Sequence, residues 1–225
     1  MGPSQDSKLS PTQMGNNRIM SKQIILASAS PSRKRLLESV GIHAKVMVSG
    51  VDEETPELLA LSPADLVIAL AILKAHTVFN RLPEITNALI IGCDSTFEFE
   101  GISLGKPGSR SSAIDRCQLL SGKSGYLHTG HSVIDTDQGI EVSDISTSKV
   151  TFAKMSDAEI INYVDTGEPL EVAGGFTLDG HSAPFITHID GDPSGIIGLS
   201  LPTLRKITIN LGLEWSAVAP VRVKL

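Results

Sequence analysis

An acid at the end of an apolar run is the first residue in this chain that demands a chemical explanation. Leu89-Ile90-Ile91-Gly92-Cys93-Asp94-Ser95 reads as a strand buried on both faces and closed by a carboxylate. An isolated buried carboxylate costs several kcal/mol or neutralises itself. Asp94 therefore needs a cation, a strong donor or a catalytic task. Three sources of positive charge or donors recur along the chain. Leu104-Gly105-Lys106-Pro107 offers a lysine on a turn bounded by glycine and proline, and Asp94 and Lys106 are expected to face one pocket. Lys74 falls on the apolar ridge of a long helix, between Ala71 and Val78, where it must either snorkel or pair. Ser28-Ala29-Ser30-Pro31 precedes a helix whose first turn holds Arg33, a cation that opposes the helix dipole unless an anion is bound there. A capped helix with a solvated arginine fits that segment equally well. Asp52-Glu53-Glu54 supplies hard oxygen ligands of the kind Mg²⁺ takes, or simply a solvated acidic loop; it gains meaning beside a phosphate site.

The elements that must position these residues follow from periodicity and caps. Gln23 to Ala27 reads as a first strand, and Ser30 caps a helix that Pro31 opens and Gly41 stops. Ala44 to Val48 is a second short strand, and Ser62-Pro63 opens a helix running to about Asn80. After the Asp94 strand, Phe97 to Ile102 reads as a hairpin or a strand with a tight Gly turn, and a helix spans about Ser109 to Leu120. Two antiparallel strands occupy His128 to Asp135 and Gly139 to Ala153. Ser156 with Glu159 makes a capping box for a helix that ends near Thr166-Gly167. Ala173 to Gly180 is a Gly-rich loop that lets backbone approach a ligand, Phe185 to Ile189 a strand, and the last helix ends at Gly212. Alternating strands and helices early, with hairpins in the middle, indicate a mixed-sheet α/β or α+β domain. Ser121-Gly122-Lys123-Ser124 is not a P-loop, since Cys117 stands where the first glycine belongs and no strand precedes it. His128 and His131 have no cysteine or further histidine cluster to complete a zinc site.

The bulk numbers bound the function. A chain of 225 residues, 41% hydrophobic and 20% charged, has ordinary globular composition. Its net charge of −6 argues against a nucleic-acid binder, as does the lack of an aromatic stacking platform. No stretch reads as the roughly 18 apolar residues that cross a bilayer. Residues 1–22 read as a disordered extension without a signal-peptide core, and 23–225 as one folded domain. Cys93 and Cys117 read as buried free thiols of a reducing compartment, which makes the cytoplasm the expected location.

Taken in order, Leu26-Ala27-Ser28-Ala29-Ser30-Pro31-Ser32-Arg33, Val51-Asp52-Glu53, Lys74-Ala75, Gly92-Cys93-Asp94-Ser95, Gly105-Lys106-Pro107 and Gly198-Leu199 resemble the Maf family of nucleoside triphosphate pyrophosphatases. The likeness covers about residues 23 to 213. It implies an elongated α/β/α fold with a central mixed sheet, similar to the inosine triphosphate pyrophosphatases. It implies a reaction, dependent on Mg²⁺ or Mn²⁺, that turns a nucleoside triphosphate and water into monophosphate and pyrophosphate. By matching motif, Asp94 resembles the general base with Glu53, Lys74 and Lys106 as partners, Glu53 and Asp94 as metal ligands, and Ser28, Ser30 and Arg33 as the phosphate cradle. A homodimer, nucleotide-pool cleaning and arrest of cell division are further implications. A nucleotide-sensing module without catalysis is the alternative, which a retained general base disfavours. Departures from the family fall where substrate is chosen, at Ser32, Ser95 and Asp179. An acid at 179 accepts hydrogen bonds and cannot donate as the glutamine of dTTP- and UTP-directed members does. It suits a guanine-type edge or the cytosine amine, so the chain is expected to form a subgroup apart from the dTTP/UTP and 7-methyl-GTP types.

Overall fold

The computed structural model describes residues 22–219. The extension expected over 1–22 lies outside the described residues except for Lys22, whose Nζ sits 2.5 Å from Asp135 and 3.0 Å from Asp137.

Strand β1 (Gln23–Leu26) leads into helix α1 (Pro31–Ser39), with Ser30 as its N-cap. Strand β2 (Lys45–Val46), the short helix α2 (Pro56–Leu59) and the long helix α3 (Pro63–Asn80) follow. Strand β3 (Ala88–Phe99) turns through Glu100 and Gly101, both at positive φ, into β4 (Ile102–Leu104). Helix α4 (Arg110–Leu120) precedes the long hairpin β5 (Ser124–Asp135) and β6 (Ile140–Phe152). Helix α5 (Asp157–Asp165) has its capping box in place. Three short 3₁₀ turns, β7 (Ile186–Asp190), α6 (Pro193–Ile197), α7 (Leu201–Asn210) and α8 (Trp215–Val218) complete the described chain.

The seven strands form one mixed sheet in the order β2-β1-β3-β5-β6-β7, with β4 also on β3. Strand β1 is parallel to both its neighbours, so the connections leave it in opposite directions. Such a reversal opens a crevice at the carboxyl ends of the strands, where α/β sheets bind ligands. Period-two alternation sorts the core. Ile24, Leu26, Leu89, Ile91 and Cys93 face α1, α7 and α8, whereas Ile25 and Ile90 face Ala75 and Val78 of α3. Further along the first face, Phe97 and Phe99 pack with Leu120, Phe152 and Phe176, forming a second apolar block beside α4 and the Gly-rich segment. Ser95 lies on that face between Cys93 and Phe97, and so between the two blocks.

Three expectations need correction. The Asp94 strand does not end at the acid: it runs five residues on to Phe99, because Phe97 and Phe99 pair with β4 and β5 and bury their rings. The acidic stretch after β2 is followed by an unforeseen helix, α2, which Thr55 caps and Pro56 opens. By length and composition α3 is apolar enough to cross a membrane, contrary to the reading from sequence. It packs instead on β3 and β5, its backbone lying against Gly92 and Gly130.

Candidate active site

The residues singled out for chemistry gather at a notch in one edge of β3. Strand β1 pairs with β3 only from Ala88 to Ile91, and β4 only from Phe97 to Phe99. Between them, Gly92 to Thr96 has no strand on that side among the described residues. Asp94 stands at the middle of the open stretch, held rigidly by pairing with Gly130 of β5 on the other edge.

Side chains from both faces of the sheet complete the notch. On the α3 face, Lys74 reaches Asp94 Oδ1 at 2.6 Å and Glu53 Oε1 at 2.7 Å, so it pairs rather than snorkels. Its side chain is 8% exposed, whereas that of Glu53, from the loop after β2, is half-exposed. Helix α3 can bring Lys74 this close because Gly92 and Gly130 have no side chain. A Cβ on Gly92 would lie 2.0 Å from the Ala71 carbonyl, and one on Gly130 2.2 Å from that of Val67. Burial pushes the Asp94 carboxyl above the usual carboxylate range; Lys74 and Arg33 pull it back, and Glu53 adds to the rise. A carboxylate so placed is a stronger proton acceptor than a solvated one, and Lys74 keeps it available in the charged form.

On the opposite face Arg33 works as an anchor. The last ladder bond from β1 is Ala27 N–H to the Ile91 carbonyl. The next carbonyl on that edge, of Cys93, accepts from Arg33 Nη1 at 2.9 Å, so a guanidinium stands in for missing strand. Arg33 also donates to the Gly198 carbonyl at 2.7 Å, Ser28 Oγ at 2.9 Å and Ser95 Oγ at 3.0 Å. Four of its five N–H groups are thus spent inside the protein, which leaves little of it to grip a phosphate. Ser95 passes the network on to Thr129 Oγ1 at 2.9 Å, which donates to the Gly195 carbonyl. Neither of those links is signalled in the sequence.

Ser28 Oγ also accepts from the Ser30 amide, and Ser30 Oγ caps the Arg33 amide. With proline at the first helical position, Ser32 carries the first-turn N–H that points out of the helix without a protein acceptor among the described residues. Arg33 and Lys34 complete the first turn, which holds no acid, and Arg35 opens the next turn. Cations against the positive end of a helix are unfavourable there, and an anion docked at that end offsets them.

Lys106 makes no ion pair with Asp94. In the antiparallel register that pairs Leu104 with Phe97, it would fall opposite Ser95, but the chain leaves the sheet after Leu104. Its side chain is largely exposed, with Nζ 3.8 Å from Glu171. Asp179 of the Gly-rich segment holds Thr177 Oγ1 at 2.5 Å and faces Arg35 Nη2 at 3.4 Å; the same Nη2 donates to Ser32 Oγ at 2.9 Å. Two of the three positions expected to choose substrate therefore meet through Arg35, which was not anticipated, and Ser95 stands apart beneath Arg33.

Other candidates separate from the site. His128 and His131, three residues apart on β5, point to opposite faces and share no ligand. Among the described residues no group of three or more histidine, cysteine or acidic side chains converges as a metal site. Ser121-Gly122-Lys123-Ser124 joins a helix to a strand, the reverse of a P-loop. Burial pushes the Cys93 and Cys117 thiols up to about 11, so neither is a ready nucleophile.

A family model described as Maf-like protein matches residues 23–211. A protein of Streptomyces coelicolor named nucleoside triphosphate pyrophosphatase is 49% identical over 191 residues, covering 85% of this chain and 91% of the relative. Proteins with the same name from Salinispora tropica and Nostoc punctiforme are each 46% identical, over 85% and 84% of this chain and 84% and 94% of their own lengths.

Proposed function

The chain belongs to the Maf-like family, and from that premise we propose that it hydrolyses nucleoside triphosphates between the α- and β-phosphorus, releasing monophosphate and pyrophosphate. The observation that carries this reading is the Lys74-bridged pair of Asp94 and Glu53 in the notch, beside the basic, acid-free start of α1. Asp94 acts as general base. Its Oδ1 is held by Lys74, and its Oδ2 takes a proton from water as the water oxygen bonds to the α-phosphorus and the bond to the bridging oxygen breaks. The leaving pyrophosphate carries the electrons of that bond, and Lys74, Lys106 and the outward Ser32 N–H offset its growing charge. Arg33, with Ser28 and Ser30, holds the helix start and the Asp94 strand in fixed relation, so that the phosphates and the base meet in line.

The donor set suits a divalent cation, Mg²⁺ or Mn²⁺. Two carboxylates that converge on one ammonium, each with a second oxygen outside that pair, match the few protein oxygens Mg²⁺ takes alongside substrate phosphates. Glu53 and Asp94 would hold it, and it would lower the pKa of water and neutralise phosphate charge. We assign base choice to Ser32, Ser95 and Asp179, in a subgroup separate from the dTTP/UTP and 7-methyl-GTP types. The working form is a cytoplasmic homodimer without nucleic-acid or membrane partners, serving nucleotide-pool cleaning or control of division.

The test is pyrophosphate release from a panel of normal and modified nucleoside triphosphates with Mg²⁺ or Mn²⁺. Wild type should turn over, and Asp94→Asn should lose about 10²–10⁴-fold. A wild type that binds nucleotide without turnover would favour the nucleotide-sensing alternative. Undiminished turnover by Asp94→Asn would remove Asp94 from the chemistry.

A further inference from the structure

Arg81, the residue that closes α3, holds the chain where it leaves β2. Its Nη1 donates to the Val48 carbonyl at 2.9 Å, and its Nη2 donates to the Ser49 carbonyl. Two successive carbonyls beyond a strand end thus share one guanidinium, whose planar fork suits a pair of acceptors. All side-chain hydrogen bonds of Arg81 among the described residues go to these two oxygens. The ladder to β1 has already ended there, with Met47 N–H on the Leu26 carbonyl. Gly50 follows at a φ of 65° and turns the chain. From Gly50 to Glu53, the ion pair of Glu53 with Lys74 is the one tie to another element among the described residues.

We propose that Arg81 is a positioning residue for Glu53: its grip on the Val48 and Ser49 carbonyls fixes the start of the loop that delivers Glu53 to Lys74. This rests on the triphosphate reaction proposed above, in which Glu53 and Asp94 hold a divalent cation. Lys74 and Arg81 are seven residues apart on α3, two turns or about 10.5 Å along its axis. The four residues from Gly50 to Glu53 reach at most about 14 Å when fully extended. Gly50 is not extended, so the segment runs back along the helix from Arg81 toward Lys74 with little slack. One rigid helix therefore holds the loop at both ends of that run. Glu53 is half-exposed, and an ion pair to so open a carboxylate is a weak restraint by itself. The backbone clamp supplies what the pair lacks. Arg81 is itself exposed, so its replacement costs the fold little.

The experiment compares wild type, Arg81→Met, Arg81→Lys, Glu53→Gln and the double variant Arg81→Met with Glu53→Gln. Mn²⁺ binding is read from the paramagnetic resonance signal of the free ion, and pyrophosphate release is followed against Mn²⁺ concentration and pH. Arg81→Met should weaken Mn²⁺ binding and raise the half-activating Mn²⁺ concentration about tenfold, as loss of a group that orients a metal ligand does. Arg81→Lys should behave in the same way, because it keeps the charge and loses the fork. The acid limb of kcat/KM should move to lower pH in Arg81→Met, as in Glu53→Gln, because the carboxylate that disfavours charge on Asp94 is drawn away. In the Glu53→Gln background Arg81→Met should add nothing further. Unchanged Mn²⁺ binding in Arg81→Met, full function in Arg81→Lys, or a loss that persists in the Glu53→Gln background would overturn the role of Arg81. A wild type that binds Mn²⁺ without releasing pyrophosphate, with binding weakened in Arg81→Met, would sink the reaction assigned above and keep the positioning.

Discussion

At the scale of single residues, the site is a balance of charges around Asp94, and that balance can be moved in both directions. Lys74 and Arg33 favour the carboxylate, whereas burial and Glu53 disfavour it. If the base form limits the acid side of the rate profile, Lys74→Met should shift the acid limb of kcat/KM to higher pH, since an opposing cation is lost. Glu53→Gln should shift it to lower pH, since a like charge is lost. A pH profile of each variant checks the sign, whatever the absolute rates do. Lys74 was legible from sequence because a lysine on an apolar ridge contradicts the helix period. Arg35 was not, because its partner is 144 residues away and both residues are ordinary on a surface. Arg33 was seen as a cation at a helix start, but its use as a substitute for strand could not be read from the helix alone.

At the scale of elements, caps and the lengths of the longer helices survived, whereas the extent of one strand did not. Ser30, Ser62, Ser109 and Ser156 all cap the helices they were expected to open, because a cap is decided by neighbours within three residues. The extent of β3 was misjudged because its pattern changes halfway, from apolar on both faces to alternating Thr96, Phe97, Glu98, Phe99. Helix α2 escaped because a four-residue helix has no period to detect. The contact of α3 with β3 depends on one missing Cβ, since the Ala71 carbonyl against Gly92 is backbone and has no rotamer to yield. Gly92→Ala should therefore destabilise the protein by about 3 kcal/mol and depress turnover together, as Lys74 moves off Asp94. A thermal melt and an activity assay on the same sample would show whether the two losses travel together; a stable, inactive variant would contradict this account.

At the scale of the whole molecule, the middle of the sheet and the start of α7 are joined through one buried imidazole. His131 of β5 accepts the Ser200 N–H at the start of α7 through Nε2, and its buried Nδ1 has no partner among the described residues. Burial lowers its pKa to about 4, helped by Arg33 and opposed by the Thr129 backbone and then by Asp144 and Asp192. Such a group binds its proton less well folded than unfolded, so its stabilising effect is complete above the unfolded pKa near 6.5. That effect fades as pH falls toward 4, and the loss amounts to about 3 kcal/mol. Asp94, with its raised pKa, acts in the opposite sense over part of that range, so the comparison with a variant is the informative one. Denaturant midpoints for wild type should fall more steeply from pH 6.5 to 4 than those for His131→Gln; parallel curves would exclude His131 as the cause.

The notch in β3 has a mechanical consequence. A sheet transmits displacement through its ladder, and here one rung is a side chain rooted in α1. Whatever draws on the first turn of that helix, as a docked triphosphate does, also draws on the Cys93 carbonyl and through it on the strand that carries Asp94. Occupancy at the mouth of the site and the aim of the base are thus tied by a single guanidinium, in a tether that a continuous strand would have made too stiff and an open edge would not have made at all.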